Sequence, residues 1–139
     1  MGGGYNHRFG LFDALMIKDN HIIAAGGIAE ALSKAREQVG HTISIEIEVD
    51  TLAQLECALA GSPDIVLLDN MTHKTLRQAV AMCKGRCITE ASGGITIATA
   101  AKVADAGVDY ISSGWITHSA PQLDFGLDFS ASQAPRERP

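Results

Sequence analysis

Short runs of β-branched and aliphatic residues alternate along the chain with segments whose apolar residues recur every three or four positions. The runs lie at Leu15–Ile17, Ile43–Val49, Asp64–Leu68, Arg86–Ala91 and Tyr110–Ser113. Between them, Ile28, Leu32, Ala35 and Val39 share one face of a helix expected over about 29–38, with Gly40 as its stop. Thr51 and Gln54 form a capping box, Leu52, Leu55 and Leu59 line the helix it opens, and Gly61 ends it. Leu76, Val80 and Cys83 line another helix, which ends at Gly85, and Thr96 opens a last one that stops at Gly107. Strands alternating with helices predict an α/β fold with a parallel sheet. An eight-unit barrel takes about 250 residues, so a chain of 139 predicts either an open sheet or part of a larger fold.

Composition adds little to this picture. With 46% hydrophobic and 19% charged residues the chain has enough apolar material for one core. A net charge of −5 argues against a general nucleic-acid or membrane-surface role, since both favour a basic face. Cys57, Cys83 and Cys87 are odd in number and have no zinc-like spacing, so reduced, packing thiols are expected. No histidine has zinc-site spacing either. No apolar run approaches the roughly 18 residues of a bilayer span, and a soluble, cytoplasmic protein is expected. The polar 130–139 segment, with Pro135 and Pro139, reads as a disordered tail.

The polar residues of the strands are distributed unevenly. From Ile43 to Asp50 the alternation is strict, placing Ser44, Glu46, Glu48 and Asp50 on the face opposite the isoleucines. Two readings fit: a wet, ligand-binding interior, or an edge strand with one solvated face. Asp69-Asn70 and Ser92-Gly93-Gly94 end two further strands, where parallel α/β folds bind ligands. Asp69 fits a ligand contact or a helix cap. Ser92-Gly93-Gly94 fits a phosphate cradle or a tight turn, and Ser112-Ser113-Gly114 offers a second such loop. Lys18-Asp19-Asn20-His21 brings a cation to the same rim, His7-Arg8 a basic pair with the guanidinium fork that suits carboxylates, and His118 a loop histidine.

Taken in order, Gly-Gly-Gly-x-x-His-Arg (2–8), Ile-Lys-Asp-Asn-His (17–21), Ile-Glu-Ile-Glu-Val (45–49), Leu-Leu-Asp-Asn-Met (67–71), Glu-Ala-Ser-Gly-Gly-Ile (90–95) and Ile-Ser-Ser-Gly-Trp-Ile-Thr-His-Ser-Ala-Pro-x-Leu-Asp (111–124) resemble the quinolinate phosphoribosyltransferases. The likeness runs to Phe129. It implies the C-terminal catalytic portion of a parallel α/β barrel over 1–129, without the family's first strands and N-terminal domain, and with 123–129 a strand returning to that domain. It also implies transfer of phosphoribose from phosphoribosyl pyrophosphate to quinolinate with decarboxylation, giving nicotinate mononucleotide in NAD biosynthesis, with Mg²⁺ and a homodimer or higher oligomer. By the same likeness His7, Arg8 and Lys18 face quinolinate, Glu48 and Asp69 lie near the ribose and metal, and Ser92, Gly93, Gly94, Ser113, Gly114 and His118 surround the phosphate. Lys18, Glu48 and Asp69 are the implied catalytic set. Glu46 is assigned to support, and Asn20 and His21 to orientation. Two other readings stay open: a non-catalytic fragment that binds phosphate or a partner chain, and a related barrel protein of a metal-transport operon. His7-Arg8 with Lys18 favours a dicarboxylate substrate over the latter.

Overall fold

The computed structural model describes residues 2–127. Its elements alternate throughout: β1 (Leu15–Ile17), α1 (Asp19–Ala25), α2 (Ile28–Gln38), β2 (Ile45–Val49), α3 (Leu52–Ala60), β3 (Ile65–Asp69), α4 (His73–Cys83), β4 (Ile88–Ser92), α5 (Ile97–Ala104), β5 (Tyr110–Ile111) and α6 (Trp115–His118). The five strands form one parallel sheet in chain order. Helices α2 to α5 each pack on their neighbour, forming a continuous layer against one side of the sheet. Sequential order with all crossovers on one side is how a βα-barrel winds, because right-handed crossovers return each helix to the same face.

The hydrophobic core lies between these layers. Ile45, Ile47, Val49, Val66 and Leu68 from the strands meet Leu32, Leu55, Leu76 and Cys83 from the helices, all buried. Burial pushes the Cys83 thiol up to about 12, consistent with a packing role rather than reactivity. The Thr51 capping box forms as its spacing predicts: Thr51 Oγ1 accepts from Gln54 N–H at 3.2 Å, and Gln54 Oε1 accepts from Thr51 N–H at 3.1 Å. Thr96 and Gly61 also take their expected places at helix ends.

Two expectations change. Strand β2 lies between β1 and β3, so the edge-strand reading of its glutamates is overturned: Glu46 is 3% exposed. His118 closes the short helix α6 instead of lying in a loop. Lys18 stands at the N-cap of α1 and Asp19-Asn20-His21 form its first turn, with Lys18 N–H donating to His21 Nδ1 at 3.0 Å. Of the stretch expected to be a returning strand, residues 123–127 belong to no helix or strand, and Leu123, Phe125 and Leu127 are exposed. Its last two residues and the 130–139 tail fall outside the described residues.

Asp109 ties β4 to the turn before β5. Its Oδ2 accepts from Thr89 N–H at 2.8 Å and from Thr89 Oγ1 at 2.7 Å. These bonds, the backbone one foremost, hold its carboxyl below the usual carboxylate range. A depressed folded value means the stabilisation is present above the unfolded value of 3.8 and is lost as pH falls through the folded one. Melting temperatures measured from about pH 5 down to about pH 2 should therefore fall more steeply for the wild type than for Asp109→Asn. Equal acid slopes would remove Asp109 from the acid transition.

Candidate active site

The face of the sheet turned away from the helices gathers the polar strand residues. In register, Met16 pairs with Glu46, Glu48 with Leu67 and Leu67 with Glu90, while Asp69 pairs with Ser92 at the C-terminal ends. Period-2 alternation thus stacks Glu46, Glu48, Asp69, Glu90 and Ser92 on one surface. It forms three neighbouring groups.

The first joins β1, β2 and β3 at the rim. Lys18 Nζ donates to Glu48 Oε2 at 2.6 Å, and Glu48, Asp50 and Asp69 bring one carboxylate oxygen each within 4.8 Å of one another. The Glu48 bond raises the Lys18 ammonium above its ordinary range, so it stays charged. Partial burial, followed by repulsion from Glu48 and Asp50, raises the Asp69 carboxyl. Asp69 is not a helix cap: Thr72 caps α4, accepting from Thr75 N–H at 3.2 Å.

The second group is a cleft of about 350 Å³ over the ends of β4 and β5, lined by Ser92, Gly93, Gly94, Ser112, Gly114 and His118. Gly93 and Gly94 take φ of +90° and +59°. A Cβ on Gly93 would lie 2.6 Å from the Asn70 backbone nitrogen, so glycine lets the loops after β3 and β4 meet. A Cβ on Gly114 would approach His118 Nε2 to 2.9 Å. The start of α5, capped by Thr96, opens on the same cleft and adds the positive end of a helix. Ser113 turns away, its hydroxyl donating to the Ile95 carbonyl at 2.6 Å, and Ser112 lines the cleft in its place. Sequence reasoning also missed Thr96 and Trp115 as lining residues. Their position just after each glycine turn was the available signal.

The third group lies below the rim. His7 Nε2 stands 3.3 Å from Glu46 Oε2 and 3.5 Å from Glu90 Oε1, and Ser112 Oγ donates to that same Glu90 oxygen. Desolvation, then Glu90, raises the Glu46 carboxyl, with His7 opposing. Among the expected basic residues, His7 pairs with these glutamates and Lys18 with Glu48. Arg8 is half-buried and lines a separate groove beside Leu15, Met16 and Gln38. The expected trio does not converge on one carboxylate: His7 and Arg8 both act on Glu46, while Lys18 pairs with Glu48 two residues along the same strand face. His21 orients the start of α1 through the Lys18 bond already described, whereas the Asn20 backbone bonds Asp19.

A parallel run of βα units with a lysine–carboxylate rim beside a glycine-lined, helix-opened cleft at the C-terminal strand ends defines a segment of the α/β-barrel class. Residues 1–128 match the family "Quinolinate phosphoribosyl transferase, C-terminal domain", and the chain belongs to that family. It is 47% identical over 131 residues to the probable nicotinate-nucleotide pyrophosphorylase [carboxylating] of Bacillus subtilis (strain 168), covering 94% of this chain and 45% of that protein. To quinolinate phosphoribosyltransferase [decarboxylating] 2a, mitochondrial, of Nicotiana tabacum it is 42% identical over 152 residues, covering 96% and 43%. The solved nicotinate-nucleotide pyrophosphorylase of Ehrlichia chaffeensis superposes with a TM-score of 0.86 at 40% identity, covering 91% of this chain and 46% of that one. The chain thus spans less than half the length of these relatives. No helix among the described residues is long and apolar enough to cross a membrane.

Proposed function

We propose that this chain supplies the catalytic rim of an enzyme that transfers phosphoribose from phosphoribosyl pyrophosphate to the nitrogen of quinolinate, with loss of CO₂ and pyrophosphate, giving nicotinate mononucleotide. The observation that carries this reading is the 2.6 Å Lys18–Glu48 pair beside Asp69, on the same rim as the Gly93–Gly94 cleft. The glycine cleft and the start of α5 hold the 5′-phosphate of the donor. Charged Lys18 takes a quinolinate carboxylate, and His7 and Arg8 are the further basic groups offered to the dicarboxylate. As the C–O bond to pyrophosphate breaks, positive charge grows on the ribose, and the carboxylates of Glu48 and Asp69 stabilise it. The new N–C bond makes the ring nitrogen cationic, which stabilises the electron pair that departing CO₂ leaves on the adjacent ring carbon until a proton from solvent takes the carboxyl's place.

Glu48, Asp50 and Asp69 suit Mg²⁺: all three offer oxygen, and the repulsion that raises Asp69 is what a dication relieves. When bound there, Mg²⁺ supplies charge against the pyrophosphate leaving group. A cytoplasmic homodimer or larger homo-oligomer is part of the same proposal.

The test follows quinolinate consumption and nicotinate mononucleotide formation with donor and Mg²⁺. The chain alone should show little or no turnover, and supplying from a relative the half of the family's length that it does not span should restore it. Robust turnover by the chain alone would refute dependence on that half. No turnover in the reconstituted enzyme would refute the assignment.

A further inference from the structure

Asn70 follows the last residue of β3 and takes φ of +51°, a left-handed conformation that among the described non-glycine residues only Ser62 shares. Asparagine tolerates that region better than most side chains, yet it is an uncommon backbone state, and such states cluster at functional sites. Its geometric consequence is local. Along a strand, neighbouring side chains point to opposite faces, so an extended Asn70 would aim its amide away from Asp69. The left-handed turn brings it back, and Asn70 Nδ2 donates to Asp69 Oδ2.

The same residue reaches the glycine turn. Its backbone N–H donates to the Ser92 carbonyl at 3.0 Å, and its Oδ1 occupies the space that a Cβ on Gly93 would fill. One side chain therefore touches both the rim carboxylate and the loop after β4. Asp69 also lies in a repulsive setting: Glu48, Asp50 and Asp69 bring carboxylate oxygens within 4.8 Å of one another, and like charges at that range push apart. The amide bond to one Asp69 oxygen opposes that displacement.

We propose that Asn70 is a positioning residue that fixes the Asp69 carboxylate at a set distance from the Gly93–Gly94 turn, so that a ribose carrying a 5′-phosphate is gripped at both ends. The inference deepens the transferase reading and rests on it, since the phosphate and the ribose ring of one donor must meet the turn and the carboxylate together. A misplacement of about 1 Å at a reacting centre lowers a rate by about 100-fold, so a fixed span between the two contacts matters. Sequence spacing could not show it, because the amide joins positions 69 and 93.

Asn70→Gly isolates the amide: glycine adopts positive φ readily and keeps the backbone N–H that bonds Ser92. The 139-residue chain is titrated with ribose 5-phosphate and, separately, with inorganic phosphate, following the amide resonances of Gly93 and Gly94. Asn70→Gly should weaken ribose 5-phosphate more than tenfold and leave inorganic phosphate, which carries no ribose to meet Asp69, within threefold. Its melting temperature should be at or above the wild-type value. In an Asp69→Asn background the same substitution should weaken ribose 5-phosphate less than threefold, because a residue that acts through Asp69 then has no charge to position. Unchanged ribose 5-phosphate affinity in Asn70→Gly, equal losses for the two ligands, or an undiminished loss beside Asp69→Asn would overturn the positioning role. Failure of the underlying reading looks different: a wild-type chain that binds no ribose 5-phosphate, which removes the phosphate turn and the positioning role with it.

Discussion

Lys18→Ala and Glu48→Gln should each lower kcat/KM of the reconstituted enzyme by more than tenfold, or about 1.4 kcal/mol of transition-state stabilisation. The two side chains share one bond of 2.6 Å, and they do different work. Lys18 carries the positive charge that orients a carboxylate substrate, so its loss should raise KM for quinolinate. Glu48 keeps its shape as glutamine but loses the charge that faces the developing cation, so its loss should appear in kcat. Half-exposed Lys18 contributes little to folding, because an ion pair in contact with water is screened. The melting temperature should therefore stay near the wild-type value while activity falls. Because the residues touch, the double variant should lose less than the product of the single losses. Wild-type kinetics in either single variant would remove that residue from the mechanism.

Gly93→Ala should damage both stability and phosphate binding. At φ of +90° any side chain is strained, by about 1–3 kcal/mol. The added methyl would also press on the backbone nitrogen of Asn70, which is itself held by a 3.0 Å bond to the Ser92 carbonyl and cannot swing aside like a side chain. Gly94→Ala is the control. Its φ of +59° also disfavours alanine, but nothing lies within 4 Å of the new Cβ, so only the conformational cost of about 1–2 kcal/mol applies. Denaturant unfolding should rank Gly93→Ala well below Gly94→Ala, and donor affinity should weaken with it. Equal stabilities would show that the loops after β3 and β4 separate without cost.

The elements that could be read from residue order are those whose causes are local. Alternation in Ile45–Val49, the Thr51–Gln54 box and the glycine stops act within a few positions, and each appears where its pattern places it. Helix α1 escaped because only seven residues form it, and its polar first turn resembles a rim loop. The short α6 escaped for the same reason. At the rim, strand ends in a parallel sheet converge whatever lies between them, so Glu48, Asp69 and the two glycine turns could be placed together from their positions alone.

Residue order thus determined the βα repeat, the glutamate face of β2 and the roster of polar groups, since backbone period and capping depend on near neighbours. Tertiary structure alone decided that β2 is interior rather than an edge, that Ser112 rather than Ser113 lines the cleft, and that the basic residues separate, with Lys18 on Glu48 and His7 between Glu46 and Glu90. Those outcomes depend on strand register and burial, which join residues dozens of positions apart and reset the electrostatic cost of each charge they enclose.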